Sequence, residues 1–160
     1  MLKAGNLVLR RAGVADLDAI VALQRAAYAR NRELLGAEPL PLQEDYAVVL
    51  RDYEVWVTSG GAIAGVLILE PRADDLLIWS IGTDPQRQKS GLGHAMLAAA
   101  DARAHELGLG TVRLYTGTVL RHLVDWYGRN GFAVERIEEL SDRSLTHMVK
   151  HLGATSSAVD

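Results

Sequence analysis

The chain has 160 residues, 49% hydrophobic and 23% charged, with a formal net charge of −3. That fits one globular domain with a real core, and without an excess of Lys and Arg no nucleic-acid partner is expected. Apolar stretches such as AIAGVLIL are far short of a membrane span, the first residues lack a signal-peptide pattern, and no cysteine is present for a disulfide, a thiolate metal site or a nucleophile, so the expectation is a cytoplasmic protein with no membrane partner.

In chain order, LVLRR (7–11) reads as a strand. From Val14 onward, Leu17, Ile20, Val21, Gln24 and Tyr28 share one helical face, with Asp16 near the start. Gly36, Pro39 and Pro41 break the pattern between Leu34 and Tyr53, which reads as a short helix or loop before the strand EVWVT and a Gly-Gly turn. AIAGVLILE (62–70) and LLIWSIG (76–82) read as an antiparallel pair of central strands, too continuously apolar to have a wet face. A helix is expected from Gly91 to Leu107, then a strand TVRLYT (111–116), a helix over 120–131 ending on Asn-Gly, and a final hairpin from FAVERIEEL and SLTHMVKHL. The resulting order is a mixed α/β sheet in one domain, residues 1–152, and the tail 153–160 reads as disordered.

The stretch DPQRQKSGLGH (84–94) joins a strand to a helix, the layout of a phosphate cradle. It is not a P-loop, because Gln88 and Thr83 stand where that motif needs glycines, and not a dinucleotide fingerprint, because Met96 and Thr116 replace its Gly/Ala and acidic positions. Glycines at 91 and 93 let the backbone approach an anion at the favourable end of the helix dipole.

Gln88, Gly91 and Gly93, preceded by Pro85, match the acyl-coenzyme A loop of the GNAT superfamily of N-acetyltransferases, and the chain resembles that family from about residue 7 to residue 150. DWYGRNGF resembles its tyrosine, three residues, Gly-Phe motif, with Tyr127 eleven residues after Thr116. The resemblance implies a GNAT fold, a mixed and mostly antiparallel sheet flanked by helices, and acetyl-CoA as co-substrate without a metal. It implies transfer to a small-molecule or peptide amine, with a homodimer allowed. The implied cofactor contacts are Ile81, Gly82 and Thr83, whose main chain would meet the thioester, and Gln88, Lys89, Ser90, Gly91, Leu92, Gly93 and His94 around the diphosphate.

Family members often have glycine where Lys89 stands, and an asparagine where Leu120 or Leu123 stands. Tyr127 matches the general acid, a phenol that bears its proton at neutral pH. At the family's commonest base position this chain has Leu77, so the first candidate base is Glu70, followed by Asp74 and Asp75, with His122 and Asp125 further alternatives. His147 and His151 straddle a strand and are not expected to bind metal. Between Leu34 and Glu54 five acids face one arginine, a hint of a cationic acceptor. With no cysteine for an acyl-enzyme, direct transfer in a ternary complex is expected; the rival is a non-catalytic module that binds acyl-CoA.

Overall fold

The computed structural model describes residues 1–87 and 90–153. Its sheet is built from β1 (Leu2–Ala4), β2 (Leu7–Arg11), β3 (Glu54–Thr58), β4 (Gly65–Pro71), β5 (Leu76–Thr83), β6 (Thr111–Gly117), β7 (Ala133–Glu139) and β8 (Ser144–His151), in the spatial order β1-β2-β3-β4-β5-β6-β8-β7. Only β5 and β6 run parallel; the other neighbours are antiparallel. Four α-helices flank it: α1 (Leu17–Leu35), α2 (Tyr46–Asp52), α3 (Leu92–Glu106) and α4 (Arg121–Arg129).

The expected strands and helices are present, with differences that have local causes. β1 was not expected; its three residues are too short to show a period, and a turn with Gly5 at φ 58 folds it onto β2. α1 is preceded by a 3₁₀ turn, Val14–Asp16, because the Asp16 carboxylate accepts from the Gly13 N–H and from Arg10. The ambiguous stretch before β3 contains a true helix, since Asp45 caps α2 by accepting from the Ala47 N–H at 2.9 Å. β4 starts at Gly65 rather than 62, because Thr58 Oγ1 takes the Ala64 N–H into a turn.

Both faces of the sheet are covered, which is why β4 and β5 are apolar throughout. On one face Ile20 and Leu23 of α1 and Val49 of α2 pack on Val55, Val57, Val66 and Ile68. On the other, Met96, Ala99 and Ala100 of α3 pack on Leu67, Leu69, Ile78 and Leu114. Each fully buried Leu or Ile contributes about 1.5–3 kcal/mol before chain entropy is counted. The alanines let α3 lie close to the strands, and a Cβ on Gly65 would stand 2.8 Å from Met96 Sδ.

What positions the site is a fork in the sheet. β5 stays paired with β4 along its length and β6 with β8, but β5 and β6 meet only at Leu76↔Val112 and Leu77↔Arg113. The root of the fork is pinned by Asp75, 5% exposed, which accepts from Arg72 at 2.6 and 2.7 Å and from Arg113 at 2.8 Å. Just beyond, the register slips: Ile68 faces Ser80 and Leu69 faces Ile78, so Trp79 is an extra residue in a β-bulge. The bulge turns Trp79 and Ser80 to the α1 face together, Trp79 against Tyr46 and Tyr53, and Ser80 against Gln24.

Candidate active site

The fork opens into a cavity of about 370 Å³ that runs between α1, α3 and α4. One end is the start of α3. Its first helical hydrogen bond is Ala95 N–H to the Gly91 carbonyl at 3.0 Å, so the N–H groups of Leu92, Gly93 and His94 have no helical acceptor. Gly91, Gly93 and His94 line the cavity. Gly91 sits at φ 83, a conformation that a side chain strains. Gly93 is small for another reason: a Cβ there would lie 3.3 Å from the Trp126 ring, so it lets α4 approach α3. Of the other loop residues expected at the cofactor, Ser90 needs correction, because its N–H (3.1 Å) and its hydroxyl are both spent on the Arg87 carbonyl. Gln88 and Lys89 lie outside the described residues.

α4 forms the next wall. Tyr127 packs between Trp126, ring centroids 5.1 Å apart, and Phe132 at 5.9 Å. The YGRNGF turn holds it there: Gly131 at φ 96 brings the chain back so that the Phe132 N–H donates to the Tyr127 carbonyl at 3.1 Å, and Phe132 enters the core. Asn130 ties this turn to α3, donating to the Trp126 carbonyl and accepting from His94 Nδ1, both at 2.8 Å. The Tyr127 side chain lines the cavity, and burial, followed by the neighbouring Tyr28, pushes its phenol well above the ordinary value, so it carries its proton.

β5 supplies the middle of the cavity. Ile81 and Thr83 line it, as do Trp79 and Ser80. Gly82 does not, and the reason it is glycine lies on its other side: a Cβ there would overlap the side-chain oxygen of Gln24, a fully buried residue. The missing side chain at Gly82 thus serves helix packing. Gln24 Nε2 donates to Ser80 Oγ at 2.9 Å and to Tyr46 Oη at 3.0 Å; Tyr46 donates to the Pro41 carbonyl at 2.8 Å, and Ser80 Oγ is 2.7 Å from Tyr28 Oη. This chain of bonds fixes α1, the bulge and the 39–41 segment together. Tyr28, pushed up to about 12 by burial, with Ser80 pulling the other way, also lines the cavity.

Among the described lining residues there is no Asp or Glu. Glu70, the first candidate base, is near the end of β4 and is not among the described lining residues; it is half-buried, near Tyr53 and the cavity-lining Tyr115. Asp75 is committed to Arg72 and Arg113, which hold its carboxyl below the usual range. Asp74 and Asp125 are exposed and off the cavity; His122 is exposed but lines it. Leu120 and Leu123, at the places where the family often has asparagine, form part of the apolar wall. The acidic stretch also changes meaning. Glu38 is held by Arg32 (2.6 Å), Asp52 by Arg51 (2.8 Å) and Glu54 by Arg103 (2.8 Å), while Asp45 caps α2, which leaves only Glu44 of the five uncommitted.

The site thus combines a forked α/β sheet, a helix N-terminus at one end of the fork and a tyrosine beside it. Residues 51–134 match the family model of the acetyltransferase (GNAT) domain. The uncharacterized N-acetyltransferase YvbK of Bacillus subtilis is 30% identical over 107 residues, 66% of this chain and 68% of that protein. Among solved structures, the PaiA N-acetyltransferase of Thermoplasma acidophilum in complex with coenzyme A superposes with a TM-score of 0.75 at 16% identity, over 91% of this chain and 99% of its own. The ribosomal-protein-S18-alanine N-acetyltransferase of Escherichia coli also gives a TM-score of 0.75, at 18% identity, over 96% and 99%. The chain belongs to the GNAT family of N-acetyltransferases.

Proposed function

We propose that the protein binds acetyl-CoA along the fork and transfers its acetyl group directly to a primary amine in a ternary complex. The observation that carries this reading is the continuity of one cavity from the free N–H groups of α3, past the unpaired edge of β5, to Tyr127. The residues present fit the coenzyme: three convergent amides at a helix start suit a diphosphate, and the unpaired strand edge suits an extended, amide-containing arm. The coenzyme supplies the acetyl thioester. Main-chain N–H groups along the free edge of β5 stabilise the thioester oxygen as it gains charge. The acceptor nitrogen forms the new N–C bond while the C–S bond breaks. Tyr127 delivers its proton to the departing sulfur and is reprotonated from the protons that the amine sheds.

With no carboxylate among the described residues lining the cavity, the amine loses its first proton to solvent or to His122 at the rim. The rate should then climb with pH in step with the free-amine fraction, which is about one part in a thousand at pH 7 for an amine of pKa near 10. Release of free thiol from acetyl-CoA in the presence of a panel of amines tests the whole reading. Turnover on an amine supports it; calorimetric binding of acetyl-CoA with no turnover on any amine would leave a binding module instead.

A further inference from the structure

The far wall of the cavity is made by the C-terminal half of α1, the 39–41 segment and the turn between β7 and β8, and the described residues that line it include Arg30 and Arg143 and no carboxylate. Arg143, in that turn, lines the cavity with a side chain only 4% exposed. Its Nε and Nη2 donate to the exposed Asp142 at 3.2 and 3.0 Å, which occupies one edge of the guanidinium. The remaining nitrogen, Nη1, makes no hydrogen bond to a described residue. Arg30, also lining the cavity, has no ion pair among the described residues, and the neighbouring Asn31 offers a free side-chain amide. Glu38 also feels the charge of Arg143, but Arg32 holds both of its oxygens, at 2.7 and 2.6 Å.

A guanidinium this deeply placed with an open edge is built to receive a planar anion, because its fork matches a carboxylate two bonds at a time. A purely cationic acceptor would meet Arg30 and Arg143, with Asp142 paired to Arg143 and no acid among the described residues lining the cavity. Around the same wall stand Leu35, Leu40, Trp79 and Leu145, which suit an apolar body. Resting on the acetyltransferase reading above, we propose that the acceptor is an amine that also bears a carboxylate, a small apolar or aromatic amino acid, with Arg143 and Arg30 holding the carboxylate and so aiming the amine at the fork.

The test compares apolar and aromatic amino acids with their amides, with rates expressed per free amine because the amide's α-amine is the weaker base. The acid of the best pair should be acetylated with kcat/KM at least about tenfold above its amide, and Arg143→Met should remove that preference by lowering kcat/KM for the acid alone, with KM for acetyl-CoA unchanged. Arg143→Lys should restore part of it, and Arg30→Ala, at an exposed position where folding is not at stake, should raise KM for the acid about threefold or more with kcat preserved. Equal rates on acid and amide in the wild type, or a preference that survives both substitutions, would overturn the proposal. Calorimetry of the N-acetylated amino acids and their N-acetyl amides against the protein with CoA gives an arm independent of turnover. Carboxylate preference there supports the subsite even if the enzyme reading fails, and its absence overturns the subsite even if amines are acetylated.

Discussion

The two ends of the cavity are made of different material. At the α3 end the contacts come from main chain: N–H groups exposed by a helix start, and the edge of β5 exposed by the fork. At the far end they come from side chains of three segments distant in sequence, Arg30 and Asn31 on α1, Leu40 after it and Arg143 before β8. A backbone site depends on glycine spacing and is tuned to one invariant ligand; a side-chain site can be rewritten residue by residue. The difference separates the part of the reaction that the fold supplies from the part that this chain chooses.

The largest expected effect comes from filling the backbone end. Gly91→Val combined with Gly93→Leu forces a β-branched residue into a left-handed conformation that costs about 1–2 kcal/mol even for ordinary residues, and drives a side chain into Trp126. Acetyl-CoA affinity, measured calorimetrically, should fall at least about 100-fold, while circular dichroism shows the sheet retained. Next is Tyr127→Phe, which keeps the ring packing against Trp126 and Phe132 and removes only the proton. It should lower kcat at least about tenfold, roughly 1.4 kcal/mol of barrier, at unchanged acetyl-CoA affinity; unchanged turnover would remove Tyr127 from the chemistry.

The glycines, Pro85, Tyr127 and the Gly-Phe pair were legible because they are local: a turn, a helix start and a helix end each write their needs in a few adjacent residues. The presence of β3 to β8 was legible for the same reason, though the start of β4 was not. The bulge at Trp79 was not, since it arises from the slip of β5 against β4 and nothing in LLIWSIG marks it. Nor was the role of Tyr28, which reads only as one more residue on the packed face of α1 until Ser80 and Tyr127 stand beside it. That Glu70 closes β4 without joining the described residues that line the cavity was not legible either, because only the sheet's twist and fork decide it. The acidic stretch misled in a similar way, its charges being met by arginines from inside and outside the stretch.

A smaller effect probes what holds the fork open. Asp75→Asn removes the charge shared by Arg72 and Arg113 at the root. The Asp75 carboxyl lies below its ordinary value when folded, so its contribution to stability is complete above about pH 4 and fades as pH falls through the lowered folded value. The variant should melt several degrees lower at pH 7, for a loss of about 1–3 kcal/mol in a partly exposed network, and the gap should close on acidification. A gap that does not change with pH would show that packing, not charge, fixes the root. The smallest effect is expected at Glu70→Gln, which should leave kcat/KM within about threefold of wild type if the base is not there.

The most direct test is a crystal structure with CoA bound. The account predicts the diphosphate within hydrogen-bond distance of the Leu92, Gly93 and His94 amides, the pantetheine arm along the free edge of β5, and the sulfur facing the Tyr127 hydroxyl. A coenzyme seated elsewhere, or a sulfur out of reach of Tyr127, would contradict it.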